Sequence, residues 1–189
     1  MDDEIPVPDV LRRLDTDFNA RGRYCSDCGQ LLLSGMRGGR ERRHCVCGFV
    51  QYRNPAVGVA VIVCDERGAV LLGRRVKGAY AGLWCIPCGY VEWGEEIREA
   101  ARREFIEETG LDVEPGAVIA VHSNFHNPKQ LTVGIWFGGR VTGGRLFPAD
   151  GELDALEYHL PAEPPPLAFP TDAIVLADLA QRTMPGLGQ

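Results

Sequence analysis

No segment constrains the fold of this chain more than Glu95–Thr109, EEIREAARREFIEET. It is rich in Ala, Glu and Arg, which favour helix, and Gly110 stands where a left-handed residue closes one. Ile97, Ala101 and Phe105 recur every fourth residue and give that helix an apolar stripe, so it must lie on a core. Its polar side is unusual. Glu104, Glu107 and Glu108 stand at i, i+3 and i+4, within an arc of about 100°. Like charges at that spacing repel, and the C-terminal end of a helix dipole is already negative. Arg102 and Arg103 offset part of this. A solvated charged face is one reading. The other is a hard divalent cation gathered by the three acids, which relieves the repulsion far better.

Around this helix the sequence predicts strands. AVGVAVIVCDERGAVLLGRR reads as a β-hairpin, with an apolar β-branched strand, a turn at Asp65–Gly68 and a return through Val70–Leu72. Ala117–His122 and Leu131–Phe137 read as further strands, and Arg140–Val141 continues the second. LPAEPPPLAFP is a Pro-rich connector before a last helix, TDAIVLADLAQR, with Thr171 as its N-cap. Residues 8–19 have the apolar spacing of a short amphipathic helix. Strands before, between and after helices indicate a mixed α/β (α+β) domain. The texture changes at Asn54-Pro55, the expected domain boundary.

Read as a string, Gly89 to Leu111 is G-x5-E-x7-R-E-apolar-x-E-E-x-G-apolar. This resembles the Nudix box, the signature of the Nudix hydrolase family, with every defining position filled. The resemblance implies an α/β/α sandwich with a mixed sheet. It also implies hydrolysis of a nucleoside diphosphate linked to another moiety, using Mg²⁺ or Mn²⁺. Glu104, Glu107 and Glu108 would hold the metal, with the Gly89 carbonyl as a further ligand, and Glu95 would support the loop or touch an outer metal. Arg103 would orient a glutamate through an ion pair, as a cation among crowded carboxylates does. The base that deprotonates water would be Glu107, Glu108 or Glu152, since a glutamate in a comparable late loop serves many relatives.

Seven cysteines are an odd number, and four of them crowd into residues 25–47, which suits a metal site in a reducing compartment better than disulfides. Cys25-Ser-Asp-Cys28-Gly29 is a thiolate knuckle. In the second half, RHCVCGF, the spacing is disturbed: counting back from Cys47, the expected partner position holds His44. The ligands are therefore Cys25, Cys28, His44 and Cys47, or four cysteines with Cys45 as the fourth. Either set suits closed, tetrahedral, structural Zn²⁺. The segment resembles the short zinc ribbon that precedes some Nudix domains, including NADH pyrophosphatase and relatives acting on ADP-ribose or FAD. The expected organisation is an N-terminal helical segment over 1–20, a zinc ribbon over 21–54, a Nudix domain over 55–182 and a tail over 183–189. Cys85 and Cys88 invite a metal or redox reading, but residues i and i+3 of an extended segment face opposite ways. They read as structural.

The substrate is the least legible part. Arg74 and its neighbour Arg75 are expected to meet phosphate, and Tyr80, Trp84, Phe125, Trp93 and Trp136 are candidates to stack on a base. NADH pyrophosphatase carries Ser-Gln-Pro-Trp-Pro-Phe-Pro after the box, whereas SNFHNPKQLTVGIWF stands here, so ADP-ribose, FAD or a similar dinucleotide fits better. Pro128 is a further hint of ADP-ribose-directed relatives. The net charge of −6 argues against a sequence-independent nucleic-acid binder, and RGGRERRH reads as a solvated loop. The first residues have no basic and apolar leader, and the run Ala56–Cys64 is too short for a membrane span. The expectation is a cytoplasmic homodimer acting on a nucleotide. The alternative is a non-catalytic nucleotide-sensing module whose ribbon contacts DNA or protein.

Overall fold

The computed structural model describes residues 22–127, 130–149 and 151–183; the amphipathic segment 8–19, Pro128 and the tail beyond Thr183 lie outside them. The chain divides into two compact units at Pro55 and Ala56. The first contains an antiparallel hairpin, β1 (Leu33–Arg37) and β2 (Arg40–His44), turning at Gly38-Gly39. Its core is small: Cys25, Leu32 and Cys45, with Phe49 against them.

The second unit holds β3 (Ala56–Ile62), β4 (Val70–Arg75), β5 (Trp84–Cys85), β6 (Cys88–Tyr90), α1 (Ile97–Thr109), β7 (Leu111–Asn124), β8 (Thr132–Gly144), β9 (Leu153–His159) and α2 (Pro170–Thr183). One sheet is mixed, in the order β6-β3-β8-β7, with β3 and β8 parallel; the other is antiparallel, β5-β4-β9. Alternation along β3 builds two cores. Val59 and Val61 pack with Ala100, Ala101 and Phe105 of α1, while Ala60 and Ile62 pack with Trp136 and with Val175 and Leu176 of α2. The mixed sheet therefore has a helix on each side. No helix among the described residues is long and apolar enough to cross a membrane.

Several expectations change. The predicted hairpin turns at Asp65–Gly68, with the Gly68 amide donating to the Asp65 carbonyl at 3.0 Å, but β3 and β4 then diverge into different sheets. They pair only beside the turn, at Cys64 and Val70. A strand buried on both faces gains more from the parallel neighbour β8 than from its hairpin partner. The late loop after Gly151 is a strand, β9. The last helix begins at Pro170, whose missing N–H costs nothing at a first turn, so Thr171 is inside it and not its cap. Helix α1 starts at Ile97: Glu96 is its N-cap, accepting from the amides of Arg98 and Glu99 at 2.7 and 3.1 Å, and Gly110 closes it at φ 71°.

Candidate active site

The acidic side of α1 borders a cavity of about 390 Å³, within the range of small-molecule sites. Glu104 and Glu107 line it, as do Gly89, Glu92 and Glu152. Gly89 is needed here: a Cβ would lie 2.0 Å from the Glu104 carboxyl carbon. Glu104 thus occupies the space that a side chain would fill.

Arg103 organises the acids. Its Nε and Nη2 donate to the two oxygens of Glu95 at 2.7 and 2.9 Å, and its Nη1 to Glu104 at 2.8 Å and Glu107 at 3.1 Å. Nη2 also reaches the Tyr90 carbonyl at 3.0 Å, which ties α1 to the strand carrying Gly89. The paired guanidinium pulls the Glu95 carboxyl down to about 2. Glu104 goes the other way: burial pushes its carboxyl up against the pull of Arg103. Glu108 is buried, accepts the Cys88 amide at 2.8 Å, and lies behind the cavity wall instead of on it.

Of the residues expected to meet substrate, Arg75 and Trp136 line the cavity, and Arg74, Tyr80, Trp84, Phe125 and Trp93 do not. Arg74 is paired with Asp154 at 2.7 Å. Trp84 is core, buried with Ile86 and Val70. Tyr80 meets the rings of His126 and Phe169 edge-on, and Phe125 is half-buried. Alternation along β4, with a bulge between Arg74 and Arg75, instead brings Arg75 to the cavity, its guanidinium over the Phe169 ring. His126, Trp136, Phe169, Thr171 and Asp172 share that wall. Asp172 accepts from the Ile86 amide at 3.0 Å and the Trp136 indole at 3.2 Å, and burial raises its carboxyl to about 7. Arg75 Nε and Thr171 Oγ1 are buried with no hydrogen-bond partner. An acid in the first turn of a helix reads in sequence as a response to the dipole, so nothing marked Asp172 as a cavity residue.

In sequence, Cys85 and Cys88 read as structural on the premise of one extended segment. The two residues do not share one extended strand, because Ile86 and Pro87 carry the chain from the antiparallel sheet to the mixed one. Cys85 is fully buried and accepts from Arg75 Nη1 at 3.8 Å, while Cys88 is half-buried and lines the cavity.

In the first unit the sulfurs of Cys25, Cys28, Cys45 and Cys47 all lie within 4.8 Å of one another. The separations Cys25–Cys47 and Cys28–Cys45 are 3.6 and 3.4 Å, near the edge of about 3.8 Å that a ZnS₄ tetrahedron requires. His44 is not in the group, which corrects the histidine set. Consecutive residues of an extended chain face opposite ways, so β2 turns Cys45 toward Cys28 and leaves the His44 ring against Gly35.

A mixed sheet between two helices, with the acidic side of one helix and a glycine turn bordering a cavity, defines a class of small α+β proteins. The chain belongs to the Nudix family: the family model for the NUDIX domain matches residues 54–179. It is 33% identical over 167 residues to the NAD-capped RNA hydrolase NudC of Stutzerimonas stutzeri, covering 83% of this chain and 58% of that protein. The chain thus spans little more than half the length of that relative. It is 34% identical over 125 residues to the ADP-ribose pyrophosphatase of Methanocaldococcus jannaschii, covering 66% and 73% of the two chains. A crystal structure of a Nudix hydrolase from Nitrosomonas europaea superposes with a TM-score of 0.73 at 28% identity, covering 86% of this chain and 92% of that one.

Proposed function

We propose that the protein hydrolyses the pyrophosphate bond of a nucleoside diphosphate linked to another moiety, ADP-ribose or a dinucleotide such as FAD, giving a nucleoside monophosphate and a phosphorylated product. One observation carries this reading: Glu104, Glu107 and Glu152 share a cavity with Gly89, and Arg103 holds Glu104 and Glu107 at 2.8 and 3.1 Å. The donor set consists of carboxylate and carbonyl oxygens, which fit Mg²⁺ or Mn²⁺. Such an ion, when bound, neutralises charge on the pyrophosphate oxygens and acidifies a water. Glu104 and Glu107 would hold it with the Gly89 carbonyl, and Glu108 would complete the set from behind the wall. Glu152 accepts the proton of the attacking water. Arg75 supplies a positive charge on the wall for the second phosphate, and Trp136 and Phe169 offer ring edges and faces to the nucleoside.

The names of the two relatives support a pyrophosphate in the substrate, and the ADP-ribose relative supports the choice of leaving half. The four cysteine sulfurs are suited to a structural Zn²⁺, and seven cysteines without a disulfide are suited to the cytoplasm. The test is release of phosphomonoester from ADP-ribose, FAD, NADH and nucleoside triphosphates with and without Mg²⁺. Turnover of ADP-ribose or FAD that stops on chelation is the expected result. Tight binding without turnover of any of them would replace the enzyme by a nucleotide-sensing module.

A further inference from the structure

The basic stretch Arg37–His44 has no part in the proposed hydrolysis, and it is not the solvated loop its composition suggests. It forms the hairpin turn and the whole of β2, with Gly38 and Gly39 in the left-handed conformation that a two-residue turn requires. Directly opposed residues of an antiparallel pair share a face. Arg37 opposes Arg40, Gly35 opposes Arg42 and Leu33 opposes His44, all on one side; Met36 opposes Glu41 and Ser34 opposes Arg43 on the other. Contacts agree with this assignment: a Cβ on Gly35 would lie 3.0 Å from the His44 ring and 3.8 Å from Arg37 Nη1. Three arginines therefore stand on one face of the hairpin, and its one acid, Glu41, is turned away from them. Like charges opposed across a ladder destabilise it. Arg37 Nη1 donates to the Met36 carbonyl at 2.8 Å and Arg42 Nη1 to those of Arg37 and Gly38, but among the described residues no carboxylate pairs with Arg37, Arg40 or Arg42. Tyr52 is 64% exposed, and the Arg42 guanidinium lies 5.1 Å from its ring centroid, so an aromatic ring borders the same surface.

We propose that this face of β1 and β2, together with Tyr52, binds single-stranded RNA. The net charge of the chain hides the surface: residues 22–55 hold six arginines against Asp27 and Glu41, while the whole chain stands at −6. Four thiolates on Zn²⁺ subtract two charges and leave the unit positive. Guanidinium forks match phosphate oxygens two at a time, and a phosphate between Arg37 and Arg40 removes their repulsion. The Tyr52 ring takes an unpaired base by stacking. An acidic peptide would satisfy the arginines and leave Tyr52 bare, and a duplex keeps its bases stacked on one another. RNA is the nucleic acid that presents unpaired loops and ends as a rule. Backbone charge and one ring face are all that is read, so the contact tolerates any sequence. The face lies wholly in the first unit, and the inference stands apart from the proposed hydrolysis.

The test is fluorescence anisotropy of the full-length protein with a mixed-sequence ribo-oligonucleotide of about ten nucleotides. Its 5′ end is a hydroxyl, so it offers no pyrophosphate to the glutamate cavity. Saturable binding is expected, with the logarithm of the association constant falling against the logarithm of salt at a slope of about −2, as three phosphate contacts on a single strand give. Arg37→Gln/Arg40→Gln should weaken binding by on the order of tenfold, bring the slope to about −0.7, and hydrolyse ADP-ribose as the wild type does. Tyr52→Leu should weaken binding about tenfold at an unchanged slope. Absence of saturable binding, a slope that the arginine changes do not move, or equally tight binding of an RNA duplex or of polyglutamate overturns the proposal. A deoxyribo-oligonucleotide that binds more tightly overturns RNA as the occupant. Amide-exchange protection of β1 and β2 is measured in each variant. If the double variant loses it, Arg40→Gln decides alone: a slope shallower by about 0.7 is expected, and an unchanged slope overturns the site. If the protein hydrolyses nothing, the proposed function has failed, and the same titration still tests this face.

Discussion

At Gly89 the Glu104 carboxylate fills the place of the missing side chain. Gly89→Ala should therefore displace the acid while leaving the sheet intact. The expected effect is a loss of on the order of 100-fold in kcat/KM, with a thermal midpoint close to wild type, read by kinetics and by melting. Asp172 makes a second prediction, on pH. Burial holds its carboxyl near 7, whereas an unfolded chain releases that proton near 4. The native state binds the extra proton in between. Its contribution to stability is complete below about pH 4, falls as pH rises, and is gone above about 7. Urea midpoints at pH 5 and pH 8 should differ less in Asp172→Asn than in wild type. Glu95 acts in the opposite sense: its lowered carboxyl contributes above the usual carboxylate range and loses that contribution as pH falls toward 2.

At the scale of the element, α1 combines a good cap at each end with three acids in its last two turns, and Arg103 answers only some of that charge. Adding Mg²⁺ should raise the thermal midpoint, since whatever binds only the native state stabilises it, by about 2.7 kcal/mol at a hundredfold excess over Kd. In Glu104→Gln/Glu107→Gln the shift should vanish while the helix signal in circular dichroism remains. This helix was legible in the sequence because its stripe, cap and acids are all local. The wall opposite was legible only in part: Arg75, Trp136 and Glu152 were expected at the site, but His126, Phe169 and Asp172 were not. Strand β9 and the inward turn of Arg75 depend on pairing between residues 70–75 and 153–159, which no short window contains. Cys85 and Cys88 do not follow strand alternation for a related reason: the period of two holds within a strand and fails where the chain changes sheets at Ile86-Pro87. His44 and Cys45 could be told apart only once β2 fixed which of them faces Cys28.

For the molecule as a whole, the two units differ in what sustains them. The first has three buried core residues, two of them cysteines, whereas the second has two extended clusters around β3. A domain with so little apolar area would owe its fold to the Zn²⁺ proposed for its four cysteines. A strong chelator should therefore abolish amide-exchange protection in β1 and β2 and leave that of β3 and β8 unchanged, as hydrogen-exchange mass spectrometry can read. The second unit closes late. Asp172, from the last helix, is the acceptor for the Ile86 amide and the Trp136 indole. Synthesis runs from the N-terminus, so during translation both donors emerge from the ribosome well before their acceptor does. A nascent chain stalled anywhere short of Pro170 would display the glutamates of α1 on a half-built scaffold, with its hydrophobic interior open to chaperones.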